Sequence, residues 1–114
     1  MNEPANIDNV IADADSEFPA LYQLFGGYFH QDWRTEYATA ADAVSSYVGD
    51  APRDAVRAAV AELDRLLASG FDEAQLEHII ERGFGCEYVP EREGTTMAQW
   101  LASVAVTLRD RSGG

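Results

Sequence analysis

Three features of the 114-residue chain predict an all-α fold, a single small domain of about five helices packed as a bundle. Apolar side chains recur at i, i+3, i+4 and i+7 in one segment after another, the spacing of a single helix face. Ser, Thr or Asp precedes these segments and Gly follows them, the residues that start and stop helices. No stretch alternates apolar and polar residues with the period of a strand. This length supports one hydrophobic core and is too short for two. A composition of 46% hydrophobic and 25% charged residues argues against disorder.

Residues 1–17 hold five acids and no base, with Ile7, Val10 and Ile11 as the large apolar groups beyond Met1. This predicts an acidic tail, disordered or folded as a short, loosely docked helix, ahead of a helical domain over 18–110. Ser16 is placed to cap the first helix, with Pro19 in its first turn, where a missing N–H costs nothing. Leu21, Leu24, Phe25 and Tyr28 form its apolar stripe. Gly26 and Gly27 either end this helix or admit another backbone at close range.

Thr39 caps a second helix over Ala40–Val48, closed by Gly49. Asp50, followed by Pro52, opens a longer helix to about Ser69, with Gly70 as its stop. Val56, Val60, Leu63 and Leu67 make its buried face, and Arg53, Asp54, Arg57, Glu62 and Asp64 its solvent side. Asp72 and Gln75 have capping-box spacing and start a fourth helix over Glu73–Arg82, ended by Gly83, with Leu76, Ile79 and Ile80 inward. The polar connection from Gly85 to Gly94 includes one extended piece at Cys86–Val89. Thr95 or Thr96 then caps a last helix through Leu108, whose face is Met97, Trp100, Leu101, Val104 and Leu108. Arg109 and Arg111 suit the negative end of its dipole.

The run from Phe18 to Trp33 carries six aromatic rings, a Gly-Gly pair, His30 and Asp32 in sixteen residues. Its Phe18-Pro19-x-Leu21-x-x-Leu24 helix, then Tyr28-Phe29-His30-Gln31-Asp32-Trp33 and Glu36-Tyr37, resembles the opening signature of the contact-dependent growth inhibition immunity proteins. The resemblance extends from Phe18 to about Leu108 and is sharpest in the first third. It implies a non-enzymatic protein that binds and neutralises a cognate toxin C-terminal domain by stoichiometric occlusion. Many such toxins are nucleases, so the partner is expected to be basic. The signature residues Tyr28, Phe29, His30, Asp32, Trp33 and Glu36 serve either the core or the interface.

Charge points the same way. Twenty acids face eight bases, all arginine, for a formal net charge of −12. The fifteen acids beyond residue 17 still outnumber those arginines. Such a field repels nucleic acid and anionic membrane and speeds encounter with a cationic partner. The same acidity also serves solubility alone. The single Cys86 excludes an intramolecular disulfide. An unpaired thiol, an N-terminus without a basic, apolar leader, and no apolar run near 20 residues predict a cytoplasmic protein.

Catalytic sets are absent from the sequence: there is no phosphate-cradling Gly-rich loop, no GxSxG and no zinc spacing. His30, Asp32 and Glu36 offer metal-ligating groups within seven residues, but no second histidine is in reach, and the preferred reading has His30 and Asp32 satisfying loop backbone with Trp33 in the core. His78 lacks a second histidine one turn away and reads as a surface residue. Cys86 reads as buried or incidental. No cofactor is expected.

Between Phe71 and Glu93 lie seven acids and two arginines. Glu73, Glu77 and Glu81, spaced by four, put three carboxylates on one helix ridge, where like charges repel by a few tenths of a kcal/mol per pair. A basic partner relieves that repulsion. The expected toxin-binding surface is therefore Asp72, Glu73, Glu77 and Glu81 with the loop acids Glu87 and Glu91. The alternative is a generic acidic interaction module or nucleic-acid mimic outside contact-dependent competition.

Overall fold

The computed structural model describes residues 7–111, and residues 1–6 of the expected tail lie outside the described residues. The described chain is all helix, turn and irregular connection, with no strand. Eight α-helical segments follow in order: α1 (Ile7–Ala12), α2 (Ala14–Glu17), α3 (Pro19–Leu21), α4 (Trp33–Glu36), α5 (Ala40–Asp50), α6 (Arg53–Ala68), α7 (Glu73–His78) and α8 (Met97–Arg111). Two of them widen into π-helical turns, α3 through Tyr22–Gly26 and α7 through Ile79–Gly83, and a 3-10 turn spans Pro90–Glu93.

The long helices α6 and α8 pack together and carry much of the core: Val56, Ala59, Leu63 and Leu66 from one, Met97, Trp100, Leu101, Val104 and Leu108 from the other. Val60 and Leu67, expected on the buried face of α6, sit half-buried at its edge. The buried stripe runs instead through Val56, Ala59, Leu63 and Leu66. Arg109 of α8 closes the pair from outside, its Nη2 donating to both carboxylate oxygens of Asp64 at 2.8 and 2.6 Å.

Glu62 overturns the expectation of a solvent-facing carboxylate. It is 9% exposed, and its two oxygens accept from the Leu21 N–H at 3.0 Å and the Ala20 N–H at 3.3 Å. These are first-turn amides of α3, which have no partner inside their own helix. Pro19 at the helix start leaves no third N–H to satisfy there. One turn further along α6, Arg65 donates to the Glu17 carbonyl at 2.5 Å and lies 4.6 Å over the Phe18 ring. One face of α6 thus takes the carbonyl that α2 leaves open and the amides that α3 leaves open. Ser16, expected to cap this helix, sits inside α2, and its hydroxyl donates to the Asp13 carbonyl. A surface helix pattern assigns every charge to water, so a carboxylate that caps a distant helix is invisible to it.

Thr39 caps α5 as expected, its hydroxyl accepting from the Asp42 N–H at 3.1 Å. The helix then runs through Gly49 to Asp50 before stopping at Ala51, so Gly49 is no stop. Pro52, with extended backbone, occupies the capping position of α6, and Asp50 belongs to the helix before it. Gly70 ends α6 in the left-handed region at φ +82°.

The Gly-Gly question resolves residue by residue. A Cβ on Gly26 would lie 2.8 Å from the Phe84 carbonyl oxygen, whereas one on Gly27 meets nothing within 4 Å. Gly26 is the close approach. The π-helical turn around it and the one ending at Gly83 therefore bring two backbones together, and Phe84 packs against Phe18, Tyr22 and Phe25. On the other side of Gly83, α1 docks through Ile11, whose Cα would lie 3.5 Å from an added Cβ.

Candidate functional site

The signature run builds the aromatic core. Phe29 and Trp33 are buried, their rings 5.2 Å apart between centroids, and both contact Tyr88. Trp100 of α8 completes this cluster, 5.3 Å from Phe29 and 4.7 Å from Tyr88. The Phe29 carbonyl accepts from the Glu87 N–H at 2.7 Å, which ties the signature segment to the extended stretch beside it.

Tyr28 stays half-buried and donates to Asp50 at 2.8 Å. His30 is likewise half-buried. Its Nδ1 accepts from the Asp32 N–H at 3.0 Å and its Nε2 lies 3.6 Å from Glu36. That arrangement satisfies loop backbone. Among the described residues, the trio whose ligand atoms fall within 4.8 Å of one another is Glu73, Glu77 and Glu91, not His30, Asp32 and Glu36.

The acidic residues divide into two groups. Asp72 caps α7, accepting from the Gln75 N–H at 2.8 Å while the Gln75 side chain accepts from the Asp72 N–H at 2.9 Å. Glu73 reaches across to the start of α8 and accepts from the Met97 N–H at 2.6 Å and the Ala98 N–H at 3.1 Å. Thr96 caps the same helix through the Gln99 N–H at 3.0 Å, so the first three amides of α8 are all satisfied. Two of the six candidate acids therefore hold helix starts.

The other four, Glu77, Glu81, Glu87 and Glu91, surround one cleft of about 120 Å³. Glu77 and Glu81 come from the ridge, Glu87 and Glu91 from the connection behind it. Gly85 makes this meeting possible, turning the chain back at φ +71° with its N–H on the Glu81 carbonyl. A hydrogen bond with Glu91, then burial and the neighbouring Glu73, push the Glu77 carboxyl up to about 7. Val89, an exposed apolar side chain, stands between the loop acids at the cleft's edge. Cys86 lines the same cleft from beneath, and burial pushes its thiol up to about 12, so it is a poor nucleophile. The arrangement gathers four carboxylates around one cleft.

A family model described as CdiI immunity protein matches residues 17–108. The chain belongs to the CdiI immunity protein family. The match begins one residue before Phe18 and ends at Leu108. The fold is also that of a chain in the crystal structure of a CdiA-CT/CdiI complex from Y. kristensenii 33638, with a TM-score of 0.77 at 24% identity. The alignment covers 82% of this chain and 99% of that one. Comparison with curated proteins gives no match. Among the described residues no helix is long and apolar enough to cross a membrane.

Proposed function

We propose that this immunity protein neutralises the toxin domain of a contact-dependent growth inhibition system, in the cytoplasm and by stoichiometric occlusion without turnover. Family membership over residues 17–108 carries the reading. The net charge of −12 supports a basic toxin C-terminal domain as partner. The cleft between α7 and the Gly85–Gly94 connection supplies the contact: Glu77, Glu81, Glu87 and Glu91 take the place of substrate phosphates before the toxin's cationic surface. Val89 adds an apolar contact that water leaves on binding. Repulsion among these carboxylates raises the free energy of the unbound protein locally, and a cation entering the cleft removes it.

Co-expression with the cognate toxin C-terminal domain tests the reading. Growth rescue and a one-to-one complex are expected. Glu77→Lys with Glu81→Lys slows association about tenfold at low salt and weakens protection. Absence of rescue together with absence of a complex sinks the function, and an unchanged association rate removes this cleft from the interface.

A further inference from the structure

We propose that a second cleft, at the carboxyl end of α5, is a socket for one arginine side chain of the bound toxin domain. The inference rests on the function above and adds an anchor remote in sequence from the α7 acids. The cleft has a volume of about 240 Å³, with Ala20, Gln23, Tyr28, Tyr47, Asp50 and Pro52 among its walls. That is below the usual size of a small-molecule site and suits a single side chain.

Its chemistry is that of a cation holder. Asp50 is the last residue of α5, where the helix dipole is already negative, and no base stands in that last turn. An acid there is unfavourable in the free protein. The exposed Asp50 carboxylate makes no ion pair among the described residues, and the Tyr28 hydroxyl fixes one of its oxygens at 2.8 Å. Arg53, the nearest base in sequence, leaves it unpaired.

The tyrosine that holds the carboxylate is itself fixed by two other rings. Tyr28 stacks on Tyr37 with 6.1 Å between centroids and 27° between planes, and meets Tyr47 edge-on at 5.6 Å. The Tyr47 hydroxyl, buried on a residue that lines the cleft, has no hydrogen-bond partner among the described residues. A planar guanidinium, donating in its own plane to a fixed carboxylate while lying against the half-buried Tyr28 that lines the cleft, uses the charge and the geometry together. A lysine ammonium uses the charge alone.

The test is the dissociation rate of the complex with the cognate toxin C-terminal domain, followed through a double-mutant cycle. Asp50→Asn keeps an oxygen for the Tyr28 hydroxyl and removes a misplaced charge from a helix end, so its melting temperature stays level or rises. Lost binding in this variant is therefore not lost folding. Dissociation is expected to quicken about tenfold or more, the worth of one charge-assisted hydrogen bond. Replacing the toxin's surface arginines by lysine one at a time is expected to find a single position that does not add to Asp50→Asn. A wild-type dissociation rate for Asp50→Asn in an intact complex overturns the socket and leaves the function standing. Strict additivity with every toxin arginine, or coupling to a lysine instead, overturns the arginine assignment. Absence of any wild-type complex overturns both.

Discussion

Glu62→Ala should be among the most damaging single changes outside the aromatic core, although helical periodicity places Glu62 on a solvent face. The substitution strips two first-turn amides of α3 of their acceptor, at Ala20 and Leu21, in a region where both residues are buried. An orphaned buried donor costs about 1–3 kcal/mol, with the 3.0 Å bond to Leu21 toward the upper end and the 3.3 Å bond to Ala20 toward the lower. The sum is about 3 kcal/mol, a large share of the 5–15 kcal/mol typical of a whole domain. Urea denaturation followed by circular dichroism reads it directly. With a slope of about 1.5 kcal/mol per molar, the midpoint should fall by about 2 M. Glu62→Gln keeps one acceptor oxygen and should lose about 1 kcal/mol. If Glu62→Ala unfolds within about 0.5 kcal/mol of the parent, as a change on a solvated face does, the capping argument is refuted.

Other outcomes follow from the same contacts. Gly26→Ala drives a methyl into the Phe84 carbonyl and should cost about 1–3 kcal/mol, while Gly27→Ala should be neutral or stabilising; paired melting curves separate them. Glu73→Ala should cost about 1–2 kcal/mol and speed hydrogen exchange at the Met97 and Ala98 amides, because it uncaps α8. A loss of toxin binding in that variant would therefore report partly on folding. Glu77, raised from its ordinary 4.5 to about 7, holds its proton more tightly folded than unfolded. Its contribution to stability is thus complete below about 4.5 and is lost as pH rises toward 7. The parent should melt higher at pH 5 than at pH 8, and Glu77→Gln should flatten that slope. Cys86 should resist thiol reagents at pH 8 and react at once in denaturant.

Local rules made much of this fold legible. Thr39, the Asp72–Gln75 box, Thr96 and the stripe on α8 are decided within four residues of themselves, and each stands where the pattern puts it. What pattern misses is decided at long range. Gly49 reads as a stop because glycine usually ends helices, but nothing there requires a left-handed residue, and the turn comes at Ala51–Pro52 instead. Glu62 and Glu73 look alike in sequence to any exposed acid, since their partners lie 41 or 42 and 24 or 25 residues away. The candidate surface was legible as a cluster of acids. Its division into carboxylates that hold helix starts and carboxylates that ring the cleft was not, because spacing records which residues share a ridge and not which amides they reach. The cleft beside Asp50 had no signal, because the pattern reads Asp50 as opening the next helix and not as closing α5.

The grip of α6 on the corner between α2 and α3 bears on how the newly made chain matures. Glu17, Ala20 and Leu21 leave the ribosome some forty residues ahead of Glu62 and Arg65, and Gly26 waits longer still for Phe84. The dense aromatic run therefore cannot reach its final packing until α6 and Phe84 have followed it out of the ribosome, and it stays open to solvent and to chaperones until then. A cell under attack gains protection only from finished molecules, which places a premium on keeping a standing stock.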